Sequence, residues 1–221
     1  MKKIIIFGSG GHAKVIYSEI VKNKNFTFLG FVDDLKKKGE IIVKGKKNFY
    51  NLGKMTHVIK NNNNLRGIIG IGKNFLRKKV YDNIMMLDKN FKFEKIISKN
   101  AIIDTSVIIG RGTCVVSGSV INIGTKIGNH CIINTSSSID HDNQFKDFSS
   151  TGPGVKTGGN VSLGERSHIG IGSSVKQGVK IYEDCIIGAN SYVNKNCEKK
   201  SLYFGSPIKK IKIRNKFENY L

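Results

Sequence analysis

The chain has 221 residues, 39% of them hydrophobic, and a formal net charge of +21, a length that supports one or two domains with real cores and leaves no room for more. No apolar run approaches the roughly 18 residues of a membrane span, and Met1-Lys2-Lys3 leads straight into a strand-like run, so neither a membrane helix nor a signal peptide is expected and the chain reads as cytoplasmic. The charge is uneven: residues 1–100 hold 22 Lys/Arg against 7 Asp/Glu, residues 101–193 hold 7 against 7, and residues 194–221 hold 8 against 2. Spread thinly as Lys among Asn, the excess argues against a nucleic-acid stripe and suits small phosphorylated ligands drawn by a diffuse positive field.

Ile4-Ile5-Ile6-Phe7 predicts a first strand, followed at once by Gly8-Ser9-Gly10-Gly11-His12-Ala13 and a helical pattern through Val15, Ile16, Ile20 and Val21. Strand, glycine turn and helix are the context that gives G-x-G-x-x-[GA] a physical meaning. Gly8 permits a tight turn, Gly10 lets a ligand approach the backbone, Ala13 lets the helix lie close to the sheet, and the helix start favours a phosphate. A second strand, residues 26–32, ends in Asp33-Asp34, where one carboxylate can accept hydrogen bonds from a ribose or a base. Lys36-Lys37-Lys38 reads as a solvated loop, residues 41–43 as a short strand or edge, and residues 61–64 as a polar turn. Residues 67–72 predict another strand whose carboxyl end lies beside that of the first, followed by a helix carrying Arg77, Val80, Tyr81 and Ile84.

From Ile103 to Val193 the chain repeats every six residues. Fourteen of the sixteen residues at that spacing are large and apolar, the exceptions being Thr151 and Thr157, and the residues two places earlier are of modest size. A period of six fits neither a helix face nor an amphipathic strand; it fits a solenoid of short strands and corners, the hexapeptide β-helix, stabilised by stacking. Sixteen hexapeptides make about five coils, a prism roughly 25 Å tall at the usual strand spacing. The residue just after the apolar one is often Gly, Asn or Asp, types that tolerate a tight corner. The boundary between a Rossmann-like α/β domain (1–98) and the parallel β-helix (99–221) is placed near Ser98. Cys114, Cys131, Cys185 and Cys197 lack metal-like spacing and read as packing residues; no metal is expected.

The repeat is least regular over residues 134–160. Asp140-His141-Asp142 sits at a corner, and a histidine flanked by carboxylates can be oriented and made more basic, as a general base requires. His130 and His168, without flanking acids, read as surface residues. Residues 201–210 are expected to cap the last coil, and residues 211–221 to form a strand or short helix.

Together these stretches resemble the bacterial sugar acyltransferases of the left-handed β-helix class with an N-terminal nucleotide-binding domain, the PglD/NeuD-like family. The resemblance rests on G-S-G-G-H-A-K-V, F-V-D-D, G-K-N-F-L-R, I-N-T-S-S-S-I-D-H-D, G-G-N and G-S-P-I-K-K, in that order. It implies an acetyl-CoA-dependent N-acetyltransferase acting by direct transfer on a UDP-4-amino-sugar in surface-glycan or glycoprotein sugar synthesis. The alternatives are O-acetylation of a sialic acid and a non-catalytic nucleotide-binding regulatory protein. By resemblance His141 is the base, Asp142 its acidic partner, and the Gly159 amide the donor to the thioester oxygen. Asn134 lies near the acceptor sugar, and Ser9, Gly10, Gly11, His12, Asp33 or Asp34, Gly72, Asn74 and Arg77 hold the nucleotide. Coenzyme A lies along Gly159, Ile171 and Ala189, between subunits of a homotrimer. Two departures stand out: Ser150 where several members have a second histidine, and Lys73 where the nucleotide loop has Asn.

Overall fold

A computed structural model describes residues 1–60 and 64–214. The chain divides into two compact units, one of residues 1–72 and 76–96, the other of residues 73–75 and 97–221.

In the first unit the apolar run forms β1 (Lys2–Phe7), followed by α1 (Gly11–Val21), β2 (Phe26–Val32), β3 (Ile41–Val43), β4 (Phe49–Tyr50), α2 (Met55–Lys60), β5 (Arg66–Ile69), α3 (Asn74–Leu87) and β6 (Lys92–Phe93). The main sheet has the order β2-β1-β5-β6 and is parallel throughout, with β3 and β4 paired separately as an antiparallel ribbon. Ile4 to Phe7 are 1% exposed or less, as expected of a central parallel strand covered on both sides. Along α1 the inward face is Ala13, Ile16 and Ile20, while Val15 and Val21 are 36% and 51% exposed. The spacing i, i+3, i+7 selects the first set; Val15 and Val21, expected to share that face, lie off it. Helix and sheet approach so closely that a β-carbon added to Gly70 would lie 2.8 Å from Cβ of Ala13. The polar turn expected at residues 61–64 falls mostly outside the described residues.

The second unit is a parallel β-helix. Seventeen two-residue strands, β7 (Ile96–Ile97) to β23 (Tyr192–Val193) in chain order, lie on three faces, and each pairs with the strand one coil away, as in Cys114↔Ile132 and Val120↔Ile102. Three strands make a coil, so the solenoid runs past the five coils expected, because rungs begin one hexapeptide earlier, at Ile96–Ile97. The sixth-residue column fills the prism: from Val115 to Val193 every member is 7% exposed or less, Thr151 and Thr157 included. At the far end β24 (Ser201–Phe204) continues one face beside Ile186 and Ile187 and pairs with β25 (Lys209–Ile213), and Tyr203 and Ile208 join the buried core as the cap. The part of the 211–221 expectation beyond Arg214 lies outside the described residues.

The tight-corner residue is not the one the repeat suggested. Left-handed φ recurs three places after the apolar residue, at Gly112, Gly118, Gly124, His130, Ser136, Asp142 and onward every six residues to Asn190. The glycines immediately after the apolar residue answer a different constraint: a β-carbon on Gly110 would lie 2.5 Å from the backbone of Gly128 in the next coil. Close stacking, not dihedral freedom, selects glycine there.

Candidate functional sites

In the first unit the glycine turn joins β1 to α1. Gly8 has φ +99 and donates its amide to Val32, a conformation that favours glycine. Gly10 caps α1 with an extended backbone and no side-chain hydrogen bond, and β-carbons at Gly10 or Gly11 would meet no atom within 4 Å. The first turn of α1 carries no acidic residue. Open space, unpaired helix-start amides and a first helical turn without a carboxylate of its own together make an anion-accepting cradle.

The two aspartates at the end of β2 separate by partner. Asp33 Oδ2 accepts the Ser9 hydroxyl at 2.6 Å, so it faces the glycine turn, and its backbone is pinned by the buried amide of Asn51. Asp34 Oδ1 instead accepts the amide of Met55 at 2.7 Å, at the start of α2. His12 Nε2 is enclosed without a hydrogen-bond partner among the described residues. Burial, aided by the Arg77 guanidinium, lowers the His12 pKa to about 3 and keeps the ring neutral.

Arg77 and Asn74, expected to touch the nucleotide, are 1% exposed each and spent on the protein. Arg77 donates to the carbonyls of Ile71 and Gly72, holding the turn after β5. Asn74, which clusters with the solenoid unit, donates to the carbonyls of Arg166 and Ser167 and accepts the Ser150 hydroxyl. With both amide hydrogens spent on carbonyls, Asn74 shapes a loop and has no donor left for a ligand. Ser150 also meets His168 Nδ1 at 2.8 Å. Its single proton goes to Asn74 Oδ1, so His168 Nδ1 must be the donor in that contact. His168 and His130 are 6% and 1% exposed, which corrects their expected surface placement; His130 stacks on Phe148 at 5.1 Å. Lys36, Lys37 and Lys38, read as a solvated loop, border a cleft of about 460 Å³ with Leu52, Lys54 and His57.

In the second unit the corner at residues 140–143 follows β14 (Ser138–Ile139), and the corner at 158–161 follows β17 (Lys156–Thr157), one coil along on the same edge. His141 Nδ1 lies 2.9 Å from Asp142 Oδ2, and its main-chain amide donates to Asp140 Oδ1. The Asp142 hydrogen bond, assisted by the negative charges of Asp140 and Asp142, raises the His141 pKa above its ordinary value. Two glycines make room for this pair: a β-carbon on Gly124 would lie 2.3 Å from Asp142 Oδ1, and one on Gly159 would lie 2.4 Å from His141 Nε2. The Nε2 edge therefore rests against the Gly159 backbone, and the Gly159 amide donates to no acceptor among the described residues.

The weakened regularity of residues 134–160 has a local cause. Elsewhere the residue after the apolar one donates to a main-chain carbonyl one coil along, as Asn122 does to Ile139. Asn134 and Asp140 donate instead to the hydroxyls of Thr151 and Thr157, so two threonines in the apolar column hold the two corners through their side chains. The edge that carries His141 and Gly159 does not carry Asn134, Ile171 and Ala189. Those three follow strands of the neighbouring face, on a column where Gly154 donates to Thr135, Gly172 to Pro153 and Asn190 to Ile171. A single chain thus assembles His141, Asp142 and Gly159 in one place and leaves Asn134, Ile171 and Ala189 at another corner.

A family model described as the PglD N-terminal domain matches residues 3–84. Perosamine N-acetyltransferase from Caulobacter crescentus, solved as a histidine-to-asparagine variant with CoA and GDP-perosamine, superposes with a TM-score of 0.86 at 29% identity, over 95% of this chain and 97% of that one. Over nearly its whole length the chain is similar to sugar N-acetyltransferases of the PglD/NeuD-like, left-handed β-helix type. The acetyltransferase domain of PglB from Neisseria gonorrhoeae, another structural relative, gives a TM-score of 0.83 at 27% identity over 96% and 100% of the two chains, and was also solved with acetyl coenzyme A. A GDP-perosamine N-acetyltransferase from Escherichia coli O157:H7 is 30% identical over 123 residues, 55% of this chain, and the match spans about half (53%) of that relative.

Proposed function

We propose that the protein is an acetyl-CoA-dependent N-acetyltransferase acting on the amino group of a nucleotide-linked amino-sugar. The observation that carries this reading is the His141 ring, fixed by Asp142 at Nδ1 and resting by Nε2 on a glycine whose amide has no protein acceptor among the described residues. With Nδ1–H donated to Asp142, the Nε2 lone pair faces outward as a base. It takes the proton from the sugar amine as the nitrogen–carbon bond to the acetyl group forms. The Gly159 N–H then lies where the thioester oxygen gathers negative charge. When the carbon–sulfur bond breaks, the departing thiolate takes the proton back from the imidazolium, and His141 is restored. No covalent acyl-enzyme is needed.

The first unit supplies the nucleotide end. The open backbone at Gly10 and Gly11 takes the diphosphate, and Asp33, oriented by Ser9, accepts hydrogen bonds from the ribose or base; Asp34 is engaged at the start of α2. Neutral His12 adds no charge to this cradle. Asn134, Ile171 and Ala189 lie at a different edge from His141, so a complete site takes the second edge from a neighbouring copy, as a homotrimer would provide. Because two of the relatives act on or bind GDP-perosamine, a GDP-linked 4-amino-sugar is the first acceptor to assay, with UDP- and dTDP-linked amino-sugars beside it. Thiol release from acetyl coenzyme A with at least one of them is expected; none with any of them, alongside turnover of a free sialic acid, would replace N-acetylation by O-acetylation.

A further inference from the structure

The interior slot two places before each apolar residue holds Ala, Val, Ser, Thr or Cys at every repeat from 101 to 191 except one, where it holds Asn143. In four of the hydroxyl-bearing slots the side chain donates to a carbonyl fifteen residues ahead at 2.8–2.9 Å: Thr113 to Gly128, Ser119 to Asn134, Thr125 to Asp140 and Ser173 to Gly188. Asn143 keeps that contact, donating to Gly158 at 3.0 Å, and its longer amide adds two more, to Asp140 at 2.7 Å and His141 at 3.2 Å. Three carbonyl oxygens around one end of the amide fix that end as the nitrogen. The other end, Oδ1, is buried without a partner among the described residues, and the residue is wholly buried. Leaving a buried carbonyl oxygen unpaired is unfavourable, so something other than packing favours an amide in a slot that Ser or Val fills elsewhere.

The three acceptors say what that is. Two belong to the corner that carries His141. The third, the Gly158 carbonyl, is the other end of the peptide unit that carries the Gly159 N–H. The unit is planar, and a donor at its oxygen orients the N–H and draws charge from it, strengthening it as a donor. We propose that Asn143 is a positioning residue for acetyl transfer, one buried amide that fixes the His141 corner and polarises the Gly158–Gly159 peptide against it. This rests on the reading of His141 and Gly159 given above.

Two variants that match residues found in the same slot separate the contacts. Asn143→Ser keeps a donor within reach of Gly158 and loses the bonds to the His141 corner; Asn143→Val loses all three. In glycine-labelled protein, the Gly159 amide proton is expected to move upfield in Asn143→Val and to stay in place in Asn143→Ser, while the His141 ring resonances move in both. Turnover in Asn143→Val is expected to fall about tenfold or more, part of what loss of one oxyanion donor costs, with KM for acetyl coenzyme A within about twofold and an intermediate loss in Asn143→Ser. An unmoved Gly159 amide in Asn143→Val, or unchanged turnover in that variant, overturns the proposal. If wild type turns over no amino-sugar, the functional reading fails, and an unmoved Gly159 amide in Asn143→Val would sink the positioning role as well.

Discussion

Gly159→Ala tests the geometry of the His141 corner most sharply. The added methyl carbon would sit 2.4 Å from both Cε1 and Nε2 of the ring, whereas ordinary carbon contacts lie near 3.5–4.0 Å. The ring must therefore withdraw by about 1 Å, a displacement of a catalytic group that can cost on the order of 10²-fold in rate. His141 is partly exposed, its side chain at 41%, so the ring has solvent to turn into and the fold has little to lose. Steady-state kinetics with acetyl coenzyme A and an amino-sugar acceptor, together with a thermal melt, should give kcat down about 10²-fold and Tm within a few degrees of wild type. Turnover within twofold of wild type would show that the ring does not need its seat against Gly159, and the reading of Gly159 as part of the chemistry would go with it.

His141→Ala should lower kcat by roughly 10²-fold or more, the usual contribution of a general base, with circular dichroism unchanged; wild-type rates would remove His141 from the mechanism. The pH profile carries its own sign. His141 acts as a base only when neutral, and Asp142 raises its pKa, so kcat/KM should rise with pH through an inflection above the ordinary histidine value. Asp142→Asn should move that inflection to lower pH while reducing the plateau, and an unmoved inflection would assign the titration to another group. Gly10→Val should leave Tm near wild type, because φ at Gly10 is −75 and a β-carbon meets open space, while abolishing GDP or UDP binding by calorimetry; retained affinity would place the nucleotide elsewhere.

Much of this architecture is legible in the sequence because its signals are repetitive. A column of buried residues at a strict spacing of six has no other economical reading, and a strand followed by Gly8-Ser9-Gly10-Gly11 opens a helix where it was expected to. What could not be read depends on which coil lies next to which. The glycines after the apolar residue looked like corner formers, yet Gly110 is set by the backbone of Gly128, eighteen residues away. His130 looked like a surface residue until Phe148 was stacked on it. Asn74 and Arg77 matched a binding motif but turn inward to main-chain carbonyls. Asn143, in a slot whose other members are small or β-branched, gave no signal of its own, although an amide among hydroxyls and valines was there to notice. The split of Asp33 from Asp34 needed Ser9 and Met55, their partners in space.

On the proposed function, this chain moves an acetyl group from coenzyme A to the nitrogen of a nucleotide-linked sugar at His141. Incubation of wild type and His141→Ala with acetyl coenzyme A and GDP- or UDP-linked 4-amino-sugars, followed by NMR of the sugar product, measures it directly. A new amide on the sugar nitrogen is expected with wild type and almost none with His141→Ala; no amide with wild type, or equal yields from both, would refute acetyl transfer at His141.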